Sequence, residues 1–180
     1  MREPDPDTIR RAQVGDLAAF EALVRETQAD AWRLAFHLSR DRGVADDVTQ
    51  EAFLRAYRSI ESYRGDHQFS SWLLRIVRNC AMDAFQRSKR ERLTRDRLTE
   101  EASLPPSRPG SSEDRLRIEQ AVAGLPDQLR EPFVLIDMLG FGYRDTSEIL
   151  GVKIGTVKSR MHRAHAALMR LLAEEAAGEM

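Results

Sequence analysis

Near the middle of the chain stands the run Leu104-Pro105-Pro106-Ser107-Arg108-Pro109-Gly110-Ser111-Ser112. Proline lacks a backbone donor and fixes φ, while glycine and serine bury little, so this run cannot build a core. It predicts a linker over 96–112 between a first half, 1–95, and a second half, 113–180. The whole chain has 180 residues, so each half is small. Two cores of that size close only if each is compact and helical.

The periodicity agrees. Alternation of apolar and polar residues never persists, and helical spacing recurs throughout. The predicted fold is all-α, two small helical domains joined by a flexible linker. In the first half, Asp7 is placed to cap a helix through Ile9 and Val14, with a kink or restart at Gly15-Asp16. Phe20, Leu23 and Val24 continue it, and Trp32, Ala35, Phe36 and Leu38 form a second apolar face before Asp41-Arg42-Gly43. A strongly amphipathic helix is expected from about Val44 to Ser62. Val48, Ala52, Phe53, Ala56, Tyr57 and Ile60 share one face. Asp47, Gln50, Glu51 and Arg58 lie opposite, with Leu54 among them; an outward leucine there is either a partner contact or an ordinary exposed residue.

Residues 63–69 read as a loop, after which Ser70 is the expected cap of the next helix, with Trp72 just inside it. Leu73, Ile76, Val77, Cys80 and Ala84 make its inner face. In the second half, a helix over 113–122 precedes Gly124, and Leu125-Pro126-Asp127 opens another through Met138. Pro132 inside that pattern predicts a kink or a later start. A short helix, Tyr143–Leu150, a turn at Gly151-Val152-Lys153 and a longer helix to about Ala173 follow.

Formal net charge is −1, which taken alone argues against a polyanionic partner. The distribution argues for one. Residues 1–69 are acidic on balance. Between Trp72 and Arg97 stand Arg75, Arg78, Arg87, Lys89, Arg90, Arg92, Arg95 and Arg97 against Asp83, Glu91 and Asp96. Between Val152 and Leu172 stand Lys153, Lys158, Arg160, Arg163 and Arg170 with no acid. A single basic segment can be a solvated helix face; two on one chain suggest two contacts with nucleic acid. The one cysteine, Cys80, excludes an internal disulfide and a Cys-x-x-Cys metal site, and reads as a small buried apolar residue. No apolar run reaches membrane-spanning length, and the start of the chain is no signal peptide, so membrane insertion is not expected and the location reads as cytoplasmic.

The stretch from Tyr143 to Leu168 has helix-turn-helix order. Gly151 supplies the tight turn, and Val152 and Val157 can pack the two helices together. The second helix carries Thr156, Lys158, Ser159, Arg160 and Arg163 outward, with Val157, Met161, Ala164 and Leu168 inward. In such a motif the start of the second helix enters the major groove, where Lys, Arg, Ser and Thr meet phosphates or base edges. A plain amphipathic hairpin with a basic face would show part of this pattern, but the spacing and the lack of acids favour the helix-turn-helix.

Gly155-Thr156-Val157-Lys158-Ser159-Arg160, followed by Arg163-Ala164 and Leu168, resembles the recognition helix of extracytoplasmic-function (ECF) sigma factors of bacterial RNA polymerase. Leu125-Pro126, Arg130 and Gly140 match the approach to it. Asp46-Asp47-Val48-Thr49-Gln50-Glu51-Ala52-Phe53-Leu54-Arg55-Ala56 resembles the family's polymerase-binding helix. Phe69 through Trp72, Leu73, Arg75, Arg78 and Asn79 to Asp83 resembles its promoter-melting and −10-reading part. The resemblance implies two helical domains, σ2-like and σ4-like. By it, Asp46, Asp47, Gln50, Glu51, Leu54, Arg55 and Arg58 would grip the RNA polymerase core, built of the β and β′ subunits. Arg75, Arg78, Asn79, Asp83 and Arg87 would approach the −10 element. The loop from Tyr63 to Phe69, which includes Arg64 and His67, would receive an unpaired base, and Trp72 would join the −10 and melting residues. Lys153, Thr156, Lys158, Ser159, Arg160 and Arg163 would meet the −35 element of promoter DNA. An anti-sigma factor is a further implied partner.

Two departures from the family pattern stand out. Thr146-Ser147 occupies the place of a small apolar pair, which predicts weaker packing of the motif's first helix. His165 replaces a common arginine, which removes a phosphate contact at neutral pH. Neither catalysis nor a cofactor is expected: no nucleophile–base pair, glycine-rich phosphate loop or metal cluster is present, and His37, His67, His162 and His165 have no ligand spacing. A dimeric helix-turn-helix repressor would use the same second half but gives the first half no role. An adaptor protein leaves the basic recognition helix without one.

Overall fold

The computed structural model describes the backbone of residues 1–94 and 113–178, with side chains described for 1–87 and 117–173. The proline-rich segment and the predicted linker at 96–112 lie outside the described residues. Every regular element among the described residues is helical. The chain divides into two compact units, Met1–Glu101 and Ala102–Met180.

The first unit begins with α1, Pro6–Gln13. Its cap is Asp5, whose carboxylate accepts from the Thr8 N–H at 3.0 Å, and not the expected Asp7. Pro6 accounts for the shift: its fixed φ suits the first helical position, so the helix starts a residue early and Asp7 falls in its first turn. The chain breaks and restarts at Gly15-Asp16. Asp16 caps α2, Leu17–Ser39, accepting from the Ala19 N–H at 3.1 Å and pairing with Arg11 at 2.6 Å. Those bonds hold its carboxyl below the usual range.

The two apolar faces anticipated before Asp41 lie on this one long helix. Leu23, Ala31, Leu34 and Ala35 are buried, while Trp32 and Phe36 stack half-buried with ring centroids 5.2 Å apart. Asp41 caps α3, Arg42–Ser59, and Ile60–Ser62 tightens into a 3-10 turn. Ala45, Val48, Ala52, Ala56 and Ile60 face inward. Tyr57, expected inside, is half-exposed, its ring edge-on to Phe20 at 5.0 Å.

The last helix of this unit, α4, spans Phe69–Thr94. Its buried face carries Leu73, Leu74, Val77, Cys80 and Ala81. Truncating one such leucine to alanine costs about 2–5 kcal/mol in a core that cannot collapse around the gap. Burial pushes the Cys80 thiol up from its ordinary value, which suits an inert core residue. Ser70 does not cap α4. It lies inside the first turn, buried, and the Phe69 and Ser70 N–H groups donate to the Glu3 carboxylate at 2.5 and 3.1 Å.

The second unit contains α5 (Glu113–Gly124), α6 (Asp127–Phe133), α7 (Tyr143–Leu150) and α8 (Ile154–Gly178). Pro132 does not end α6; the helix loosens immediately after it into a π-helical turn, Val134–Met138. Proline cannot donate to the carbonyl one turn back, and a widened turn is one way to absorb that loss. Helix α8 outruns its expected end at Ala173, because Ala173-Glu174-Glu175-Ala176-Ala177 are strong helix formers. Helices α5, α6 and α7 each pack on α8, which makes α8 the spine of the unit.

Candidate functional site

Three surfaces carry the residues singled out from the sequence. The first is the outer side of α3. Leu54 is 45 % exposed among exposed Asp47, Gln50 and Arg58. Its neighbours are engaged. Asp46 accepts from the Trp32 indole N–H at 2.6 Å, which ties α3 to α2. Arg55 donates through Nε to Glu51 at 2.7 Å and through Nη1 to Asp83 of α4 at 2.8 Å. The bond to Asp83, then that to Glu51, raises the guanidinium pKa further above its ordinary value. One residue assigned by resemblance to polymerase thus clasps one assigned to the −10 element.

The second surface is the 63–69 loop with the outer side of α4. Tyr63 is the loop's pivot. Its hydroxyl donates to the His67 carbonyl at 2.5 Å, and its ring meets Phe69 and Trp72 at centroid distances of 5.8 and 5.3 Å. Burial, with Glu3 nearby, raises the Tyr63 pKa. Arg64 and His67 are exposed. Phe69 is only 1 % exposed, so it props the loop from beneath rather than offering its ring outward. Along α4, Arg75, Asn79, Asp83 and Arg87 are exposed at four-residue steps and therefore form one ridge. Arg78 is half-buried beside it. Phe85 is 63 % exposed on the same helix, a large apolar group that the periodicity did not single out.

The third surface is the helix-turn-helix. Gly151 takes φ +66°, the left-handed conformation that ends α7 and that a β-carbon would disfavour. The Lys153 carbonyl then accepts from the Thr156 and Val157 N–H groups at 2.8 and 3.2 Å, starting α8. Ile149 and Leu150 of α7 are buried, as are Val157, Met161 and Ala164 of α8. That packing leaves Lys153, Lys158, Ser159 and Arg163 exposed, with Thr156 and Arg160 half-buried at the edge. None of Lys153, Lys158 and Arg160 pairs with a carboxylate among the described residues. Ser159 donates to the Thr156 carbonyl at 3.0 Å.

Both departures from the family pattern have visible consequences. Thr146 is fully buried and its hydroxyl lacks a hydrogen-bond partner, which leaves α7 a small desolvation cost. His165 turns back to Asp137 of the π-helical turn, 2.6 Å from Oδ2, with its ring edge-on to Phe133. A side chain so held braces the helix and is not extended toward a phosphate.

Comparison with known proteins decides the family. Residues 23–91 match Sigma-70 region 2, and residues 115–168 match Sigma-70, region 4. The ECF RNA polymerase sigma factor SigM of Mycobacterium tuberculosis is 38 % identical over 168 residues, spanning 93 % of this chain and 84 % of that protein. The chain belongs to the ECF sigma factors. The ECF RNA polymerase sigma-E factor of Haemophilus influenzae is 35 % identical, with 89 % of this chain and 90 % of that one aligned. The sigma factor RpoE of Bartonella quintana, solved in complex with the anti-sigma factor NepR, superposes with a TM-score of 0.76 at 28 % identity, over 86 % of this chain and 96 % of that one.

As an ECF sigma factor, the chain directs promoter-specific transcription by RNA polymerase, and membership implies a regulatory subunit, not an enzyme. No helix among the described residues is long and apolar enough to cross a membrane. No group of three or more potential ligands among them could hold a metal ion.

Proposed function

We propose that the two units divide promoter recognition in a non-catalytic cytoplasmic protein. The outer side of α3, with Asp46, Asp47, Gln50, Glu51, Leu54, Arg55 and Arg58, docks on the polymerase core. The 63–69 loop and the α4 ridge of Arg75, Asn79, Asp83 and Arg87, with Arg78, meet the −10 element and assist strand opening. Lys153, Thr156, Lys158, Ser159, Arg160 and Arg163 meet the −35 element. Residues 96–112 join a domain at 1–95 to one at 113–180. Because the similar RpoE was solved with an anti-sigma factor, an anti-sigma factor is a further proposed partner.

The observation that carries this reading is α8: Lys158 and Arg163 are exposed soon after the left-handed turn at Gly151, and no acidic residue occurs from Val152 to Leu172. That is the arrangement a major-groove helix needs. The test is co-purification with core polymerase followed by run-off transcription. Core plus this chain should start at a restricted set of sites sharing two short boxes. Starts no more selective than those of core alone would refute the proposal.

A further inference from the structure

The 63–69 loop is held in place by two side chains from the start of the chain. The Glu3 carboxylate accepts from the Phe69 N–H at 2.5 Å and the Ser70 N–H at 3.1 Å, capping α4 where the loop ends. Gln13, the last residue of α1, donates through Nε2 to the Tyr63 carbonyl at 2.6 Å and approaches the Ile60 carbonyl at 3.4 Å, where the loop begins. Tyr63 then closes the loop on itself through the His67 carbonyl at 2.5 Å. Both ends and the middle are therefore fixed, while Arg64, Gly65, Asp66 and His67 stay exposed.

We propose that Glu3 and Gln13 are positioning residues that set the shape in which this loop accepts an unpaired promoter base. The proposal rests on the reading of the loop as the base-receiving segment. Glu3 and Gln13 both precede residue 23, where the match to Sigma-70 region 2 begins. Neither touches the base. Each satisfies backbone groups that the loop's turn would otherwise leave to water, and a charged acceptor at a helix start is among the stronger such contacts. A loop released at either end samples more conformations, and the competent one is populated less.

The test uses holoenzyme assembled from core polymerase and the full chain. The probe is a fork-junction DNA whose unpaired −10 bases are permuted one at a time. Glu3→Ala is expected to lower discrimination at one unpaired position about five- to tenfold, and Gln13→Ala about two- to fourfold. Glu3→Gln keeps the side-chain length and one acceptor oxygen, and should lose no more than about threefold. Core affinity and −35 preference should stay within about twofold of wild type in all three variants, which a general folding defect would not allow. Unchanged −10 discrimination in Glu3→Ala and Gln13→Ala would overturn the proposal. Arg64→Ala and His67→Ala separate the two levels. If they change discrimination and the Glu3 and Gln13 variants do not, the positioning role alone fails. If they change nothing either, the base-receiving role of the loop fails and takes the positioning role with it. Should Glu3→Ala lose helix content, Glu3→Gln and Gln13→Ala decide.

Discussion

The two units use charge differently. In the first, part of the candidate surface is tied to its neighbours, while Asp47, Arg58, Arg64 and Arg75 are exposed. Arg55 is clamped between Glu51 and Asp83, Asp46 holds the Trp32 indole, and Glu3 caps α4. In the second, Lys153, Lys158 and Arg160 of the candidate surface carry no carboxylate partner among the described residues. A tied charge shapes a protein surface before any partner arrives. An unpaired cation keeps its full field for a polyanion and releases counterions when it binds. On the proposed division of roles, the clasped part of the first unit suits a shaped dock for protein and unpaired base, and the second unit suits an electrostatic reader of duplex DNA.

Leu54→Asp should have the largest effect. Leu54 is exposed within the tied surface, so the substitution should lower core affinity by at least about a hundredfold, as loss of an interface hot spot does. Helix content and thermal stability should hardly change. An unfolded variant, or one that binds core normally, would remove α3 as the dock.

Next in size are the base-reading substitutions on α8. Arg163→Ala and Ser159→Ala should each alter −35 preference at one position by about 1–3 kcal/mol. Lys153→Ala should weaken all sequences alike and lower the salt slope by about one. A pure salt-slope effect from Arg163→Ala would reassign that residue to phosphate.

Thr146→Val should then raise stability by about 1 kcal/mol, since it removes a buried hydroxyl without a partner. A shift of the urea midpoint to higher concentration, with unchanged −35 preference, would place the cost of that threonine in its unpaired hydroxyl. A lower midpoint would show that the hydroxyl is satisfied in solution.

The smallest expected effect concerns the Arg55–Asp83 clasp. Both side chains are over a third exposed, so Asp83→Asn should cost less than about 1 kcal/mol in denaturation. Its effect on −10 utilisation should exceed its effect on stability. Equal losses in both would make the clasp merely structural.

How far the sequence foretold all this follows the same division. The second unit was legible because its signals are local: Gly151 at the turn, the inward stripe Val157-Met161-Ala164, and unopposed cations outside it. Even there, Pro132 left a kink or a later start open, whereas α6 runs through it into a widened turn. The first unit was legible as helices but not as a site. Glu3 meets residues 66 and 67 positions away, and Gln13 one 50 positions away. Contacts at such separation leave no periodic trace. Asp7 was the expected cap of α1, but Asp5 is also a capping type, and Pro6 at the first helical position makes Asp5 the cap. Nor does a list of charges say which are spent internally: Arg55 and Asp83 read as two surface groups until the packing of α3 on α4 brought them together.

The division of labour between the units is tested most directly by duplex promoter binding across a salt series, with and without core polymerase. The free chain should bind weakly, because its net charge is −1 and each unit covers a short site. With core holding both units at a fixed separation, affinity for the promoter should rise by at least about a hundredfold. Arg163→Ala and Ser159→Ala should then shift sequence preference, while Lys153→Ala should not. Tight, promoter-specific binding by the free chain, or identical preference in all three variants, would contradict the account.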